Sequence, residues 1–194
     1  NQKVKGLYLL QDKFRDNWQE VLISLKQNFD LHLISGDQDK EKVKIEKIID
    51  NQKNIHFYFS PQNKQKYIND LVKINKKVVM IGDGLNDQQA LRASHVGIAI
   101  SESASHFSPA SDVILLGEKF ADLPYFIIVA RKAANLIRLN FCFSLLYNIF
   151  GISIAISGML TPLIAAILMP LSSLTVVLVA VFGSSVVLKR KERV

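Results

Sequence analysis

The sequence predicts an α/β domain with a parallel, doubly wound sheet, followed by a two-helix transmembrane hairpin. Three observations carry this. Short apolar runs alternate with stretches of helical spacing through the first half of the chain. Several of these runs end in polar loops rich in Gly, Ser and Asp, where such a sheet gathers its ligands. The second half has no Asp, Glu, Lys, Arg or His between Arg138 and Lys189, far beyond the roughly 20 apolar residues that cross a bilayer once.

The elements follow in order. "VKGLYLL" (4–10) reads as a strand entered partway through a domain, so the chain is expected to be a fragment. "NWQEVLISLKQN" (17–28) has helical apolar spacing, "LHLI" (31–34) is a strand, and "KEKVKIEKIID" (40–50) is again helical. "IHFYF" (55–59) precedes "PQNKQKYINDLVKI" (61–74), a helix opened by Pro61, whose missing N–H costs nothing in the first turn. "KVVMI" (77–81) is a buried strand, followed by the loop "GDGLND", a short helix near 88–93, and two further strands, "VGIAI" (96–100) and "DVILL" (112–116). In the second half, "SGMLTP" (157–162) separates two segments of spanning length, about 137–157 and about 163–188. Residues 1–122 are thus expected to form the cytoplasmic domain, and 123–194 a linker helix and two membrane helices.

Arg131, Lys132 and Arg138 precede the first segment, and Lys189, Arg190, Lys191 and Arg193 follow the second. The positive-inside rule places both outer ends in the cytoplasm and the short turn outside. The net charge of +7 comes from lysines scattered over helix faces and from these flanks. Without a clustered basic surface or a recognisable module it does not imply a nucleic-acid partner. The one cysteine, Cys142, falls in the first spanning segment, which excludes a disulfide framework and reads as a small packing residue.

Three polar groups fall at carboxyl ends of strands. Ser35 with the amides of Gly36 and Asp37 can donate to phosphate oxygens, Lys64 can supply a fixed positive charge, and Asp83 can hold a hard magnesium ion through oxygen. The glycines at 82 and 84 let the backbone turn sharply and approach a bound anion. Gly-Asp-Gly-Leu-Asn-Asp after a buried strand is the most specific of these signals, and the order of all three points to phosphoryl transfer.

These motifs resemble a known family. "DKFR" (12–15), "SGD" (35–37), "PQNK" (61–64), "GDGLNDQQAL" (82–91) and "VGIAI" (96–100) are similar to the phosphorylation domain of P-type ATPases, members of the haloacid dehalogenase superfamily. "YN" (147–148) and "MPLSS" (169–173) resemble the last two membrane helices of the heavy-metal-pumping branch, its copper(I) exporters in particular, and "LLYNIFGIS" and "SHFSPASDVIL" are similar to the pumps of cytochrome oxidase assembly. The resemblance implies that Asp83 ligates Mg2+ with Asp87 supporting that site, and that Asn86 hydrogen-bonds the phosphoryl group. It also implies that Ser35, Gly36 and Asp37 hold phosphoryl oxygens and that Lys64 neutralises the charge of transfer. Tyr147, Asn148, Met169, Ser172 and Ser173 would line the route of the transported Cu(I), for which the Met169 thioether is the soft ligand, packing being the alternative role for these side chains.

The resemblance further implies ATP as substrate, a copper chaperone and the amino-terminal portion of the same pump as partners, and a place among the lipids of a bacterial inner membrane. The family's phosphorylated aspartate, its nucleotide-binding and actuator domains and its Cys-Pro-Cys helix have no counterpart in this chain, which alone is expected to be inactive. Ser35 stands where Thr is usual and keeps the hydroxyl; Gln88, Gln89 and His95 also depart from the family pattern. The alternatives are a pump for Zn(II) or another divalent ion, and a nonenzymatic truncated membrane fragment. The divalent-ion pumps usually carry an intramembrane carboxylate, which this hairpin lacks.

Overall fold

The computed structural model describes residues 15–39, 42–83, 85–102 and 110–188; the strand expected at 4–10, Gly84 and the basic flank at 189–193 lie outside them. The chain divides into two compact units, Asn1–Pro124 and Tyr125–Val194.

The first unit is built of parallel strands and helices. Helix α1 (Trp18–Lys26) buries Val21 and Leu25, one turn apart on one face. Strand β1 (Leu33–Ile34) pairs in parallel with β2 (Ile55–His56). Between them the helix expected over 40–50 ends early: among the described residues α2 covers Lys42–Glu46, after which the amides of Ile48 and Ile49 both donate to the Ile45 carbonyl at 2.9 Å. The apolar spacing is genuine, since Ile45, Ile48 and Ile49 are all buried, but one helical turn and a following turn suffice to satisfy it. The strand expected over 55–59 is likewise cut short, because Tyr58 adopts a left-handed conformation (φ 60°) that no strand accommodates.

Helix α3 (Pro61–Lys73) starts as the sequence predicts. The Ser60 hydroxyl accepts from the Asn63 amide at 3.2 Å and Pro61 occupies the first turn. Strands β3 (Val79–Gly82), β4 (Val96–Ser101) and β5 (Val113–Leu116) form a second parallel sheet in the order β3-β4-β5, with α4 (Gln88–Ala93) crossing from β3 to β4. A core of Ile68, Met80, Ala90, Leu91 and Ala99 joins α3, α4, β3 and β4, and Ile34 of β1 packs against it, so one helical layer covers strands of both sheets. Helix α4 lies so close on β4 that a Cβ at Gly97 would sit 3.0 Å from the Leu91 carbonyl oxygen. Here the glycine is required for packing.

A polar clamp fixes the entrance to β1. Buried Asn54 donates through Nδ2 to Asp30 Oδ1 at 2.9 Å and to the Leu31 carbonyl at 3.2 Å. Asp30 also receives Lys76 Nζ at 3.3 Å and faces His32 Nε2 at 3.3 Å, while His32 Nδ1 lies 2.7 Å from the Tyr67 hydroxyl on α3. Burial by itself would raise the Asp30 carboxyl, but the hydrogen bonds and charges of His32 and Lys76 outweigh it and hold the carboxyl below its ordinary value. Burial, and then the Asp30 charge, push the Tyr67 phenol up.

The second unit is a helical hairpin. Helix α5 (Leu123–Ile156) has 34 residues, about 51 Å at about 1.5 Å per residue, so it outruns a bilayer core of about 30 Å and carries Arg131, Lys132 and Arg138 on its amino-terminal part. It ends in a Schellman motif. Gly158 is left-handed (φ 72°), its amide donates to the Ala155 carbonyl at 3.1 Å, and the Met159 amide donates to Ile154 at 3.3 Å. Thr161 then caps α6 (Pro162–Leu188), its hydroxyl accepting from the Ile164 amide at 3.3 Å with Pro162 in the first turn. Both helices are long and apolar enough to cross a membrane, and their apolar side chains are largely exposed within the chain. They touch where a Cβ on Gly183 would meet the Leu136 side chain, and where Tyr147 meets Thr175.

Asn54→Ala should leave Asp30 and the Leu31 carbonyl short of a donor, at a cost of about 1–3 kcal/mol. In hydrogen–deuterium exchange of the intact polypeptide, the amides of β1 and β2 should then exchange about ten-fold faster or more, with those of β4 unchanged. Because the Asp30 carboxyl is depressed in the fold, its contribution is present above the ordinary carboxylate pKa and is lost as pH falls through the depressed one. Asp30→Asn should abolish that acid-dependent loosening.

Candidate functional site

Strand polarity sets the site. In both sheets the strands run parallel, so their polar successors gather at carboxyl ends: Ser35 after β1, Tyr58 to Ser60 after β2, Asp83 after β3. Two clusters result.

The first surrounds Ser35. Its amide donates to the His56 carbonyl at 2.9 Å, its carbonyl accepts from Phe59 at 2.9 Å, and Tyr58 donates to the Asp37 carbonyl at 3.3 Å. The left-handed Tyr58 thus wraps the end of β2 round the Ser-Gly-Asp turn. A Cβ at Gly36 would lie 3.3 Å from the Phe59 carbonyl oxygen, which leaves little space for a side chain. The Ser35 hydroxyl donates to Asp37 Oδ2 at 3.1 Å and accepts from the Asp37 amide at 3.1 Å. The Asp37 amide, expected to face an anion, is therefore turned onto Ser35, while Gly36 and Asp37 are exposed.

The second cluster joins α3 to the loop after β3. Lys64, in the first turn of α3, places Nζ 2.7 Å from Asp87 Oδ1, with only 12% and 11% of the two side chains exposed. Asp87 precedes α4, and its carbonyl accepts from the Leu91 amide at 2.8 Å. Its carboxylate fills the space above Gly82, where an added Cβ would lie 2.8 Å from the Asp87 Cβ. Gly82 is thus needed to admit the chain's own carboxylate, a different reason from the approach to an anion that the sequence suggests. Asp83 is exposed and folds the loop around itself, its Oδ1 accepting from the Leu85 amide at 3.1 Å and the Asn86 amide at 3.2 Å. Asn86 is exposed beside it.

These donors fit a hard divalent cation. Mg2+ commonly takes only one or two protein carboxylates and completes its shell with phosphate and water. The exposed Asp83 carboxylate is of that kind, whereas Asp87 is committed through one oxygen to Lys64. Among the described residues no three His, Cys, Asp or Glu side chains converge, so a caged all-protein metal site is not what this loop builds.

In the hairpin, Tyr147 is half-buried and its hydroxyl lies 3.1 Å from Thr175 Oγ1. Ser172 is half-buried, while Asn148, Met169 and Ser173 are exposed along their helices. The Ser172 and Ser173 hydroxyls donate to the Met169 carbonyl at 2.9 and 3.3 Å. Pro170, lying inside α6, has no N–H for the Ala166 carbonyl. The partner of Tyr147 is therefore Thr175, which the sequence reading passed over; its only sequence signal is a hydroxyl near the "MPLSS" stretch in "SSLTVV".

No family model matches the chain. Curated relatives include the chloroplastic copper-transporting ATPase PAA1 of Arabidopsis thaliana, 34% identical over 175 residues, covering 86% of this chain and 18% of the relative. The nitrogen fixation protein FixI of Bradyrhizobium diazoefficiens is 34% identical over 179 residues, 90% of this chain and 24% of that protein. A copper-exporting P-type ATPase of Staphylococcus epidermidis is 30% identical over 177 residues, 91% and 22% of the respective chains. Among solved structures, a zinc-transporting PIB-type ATPase in the E2.Pi state superposes with a TM-score of 0.68 at 22% identity, over 92% of this chain and 28% of that one, a likeness of fold. That likeness accords with an α/β domain followed by two helices long and apolar enough to cross a membrane. The chain is thus a homologue of copper-transporting P-type ATPases, and it spans about a fifth of the length of the curated relatives it matches.

Proposed function

We propose that this chain is the carboxyl-terminal part of an ATP-driven heavy-metal pump that exports Cu(I) through an aspartyl-phosphate cycle. One observation carries the reading: a strand-end cluster of Lys64, Asp87 and Asp83 shares a chain with two apolar helices long enough to span a membrane. Residues 1–122 would supply the cytoplasmic phosphorylation domain, and 123–194 the linker and last two membrane helices, with both ends cytoplasmic and the bacterial inner membrane as the setting. The phosphorylated aspartate, the nucleotide-binding domain and the main thiolate ligands would come from the amino-terminal portion of the same polypeptide, without which this chain would be inactive. A copper chaperone would deliver the metal.

In this mechanism Lys64 faces the transferring phosphoryl group with a fixed charge, held in place by Asp87. Ser35, Gly36 and Asp37 bind phosphoryl oxygens once the Ser35–Asp37 contact opens, and Asn86 donates to the same group. Asp83, supported by Asp87, would hold Mg2+, which when bound neutralises phosphoryl oxygens. In the membrane, Tyr147, Asn148, Met169, Ser172 and Ser173 would line the route, with Met169 the soft donor for Cu(I). The spanning segments carry no carboxylate, which favours Cu(I) over Zn(II) as the substrate.

Lys64→Ala in the intact pump should lower phosphoenzyme formation by about 100- to 1000-fold, the scale of losing one preorganised charge donor at a developing anion. Lys64→Arg should rescue poorly, because a wider guanidinium does not fit the same pairing with Asp87. Near-normal phosphorylation of the alanine variant, measured with labelled ATP, would remove Lys64 from the site.

Asp83→Asn should abolish phosphorylation from both ATP and inorganic phosphate, since an amide is the weaker ligand for a hard cation. Met169→Ala should instead weaken copper-stimulated phosphorylation by ATP while that by inorganic phosphate persists, because only the membrane ligand is lost. Both reactions are measured with and without Cu(I). Full copper stimulation of Met169→Ala, or loss of both reactions, would return Met169 to a packing role.

A further inference from the structure

Among the described residues, the two apolar helices touch at two levels for which partners are known. Leu136 lies against Gly183, and Tyr147 lies against Thr175, a pairing that fixes the antiparallel register of α5 and α6. At the second level the direction of the hydrogen bond follows from counting protons. A threonine hydroxyl carries one hydrogen. That of Thr175 donates to the Leu171 carbonyl at 2.8 Å, so its oxygen receives Tyr147 at 3.1 Å as an acceptor. The phenolic proton of Tyr147 is thereby committed to α6. With its proton spent, the Tyr147 oxygen presents only lone pairs to its remaining surroundings. A cation path requires that polarity, since a donor aimed into it repels the ion. In hydrocarbon no water replaces a lost partner, so the hydroxyl would otherwise reorient toward any acceptor within reach.

We propose that Thr175 is a positioning residue for the metal route: it holds the Tyr147 proton on α6 and leaves the phenolic oxygen as an acceptor toward Cu(I). This rests on the reading of Tyr147 as part of that route. The residue acts through Tyr147 and does not touch the ion.

The test is the Cu(I) concentration giving half-maximal phosphorylation by ATP in the intact polypeptide, for Thr175→Val, Thr175→Ser, Tyr147→Phe and the Tyr147→Phe/Thr175→Val double variant. Thr175→Val keeps shape and removes the acceptor, and should raise that concentration by about three- to twenty-fold, the range of a hydrogen bond between membrane helices. Thr175→Ser retains the hydroxyl and should stay near the parent. The double variant should shift no further than Tyr147→Phe, because both changes remove one device. A parental value for Thr175→Val beside a shifted Tyr147→Phe would overturn the role of Thr175 alone, as would shifts that add in the double variant. A parental value for Tyr147→Phe would overturn the ion-route reading of Tyr147 and this inference together. Where the valine variant does not reach the membrane, Thr175→Ala reads the same loss.

Discussion

The Lys64–Asp87 pair, 2.7 Å long and mostly removed from water, is the contact on which the first unit depends. Two charges at such a depth are tolerable only if each is matched, because stranding one of a buried pair costs about 3–5 kcal/mol. Every neighbouring feature serves that match. Ser60 and Pro61 fix where α3 begins and therefore where Lys64 projects. Gly82 has no Cβ, so the carboxylate can lie over the end of β3. Asp83 turns the next residues by capping the amides of Leu85 and Asn86, which delivers Asp87 to the start of α4. The pair then ties α3, β3 and α4 together above the core of Ile68, Met80 and Leu91.

The membrane half obeys a different constraint. The end of α5 and the start of α6 leave backbone groups without partners inside their helices, and the reversal between them must satisfy these. Gly158 and Thr161 do so, the first by closing the end of α5 and the second by capping the start of α6. Hydroxyls inside α6 follow the same rule, those of Ser172 and Ser173 turning back to the Met169 carbonyl. Gly183 lets the helices approach at Leu136, a small residue at a membrane-helix contact. The exposed Met169, Phe141 and Phe182 are apolar faces that lipid or further helices can cover.

The sequence made legible whatever depends on neighbours along the chain. Pro61 marked the first turn of α3, "SGMLTP" marked the hairpin, and the apolar runs ending at Ile34 and Ile81 marked strands whose pairing is parallel. Strand and helix lengths were less visible, since they depend on single backbone choices: Tyr58 turns left-handed and ends β2, and α2 stops once Ile45, Ile48 and Ile49 can all be buried. The residues proposed for phosphate contact were named from their loops, but the hydrogen bonds that occupy them were not. The Ser35–Asp37 contact and the joining of Lys64 to Asp87 across 23 positions arise from tertiary placement. Thr175 escaped notice for the same reason, as it is one more hydroxyl in an apolar helix until Tyr147 lies against it.

A pocket proposed for phosphoryl transfer and a hairpin without charge over residues 139–188 make sense in one chain if the chemistry in the first depends on an ion in the second. The measurement that addresses this most directly is the metal dependence of phosphoenzyme formation by the intact polypeptide in lipid vesicles, with Cu(I) kept reduced and Zn(II) supplied separately. Cu(I) should stimulate formation from ATP and Zn(II) should not, given soft and neutral donors and no intramembrane carboxylate. Stimulation by Zn(II) alone, or formation indifferent to either metal, would contradict the account.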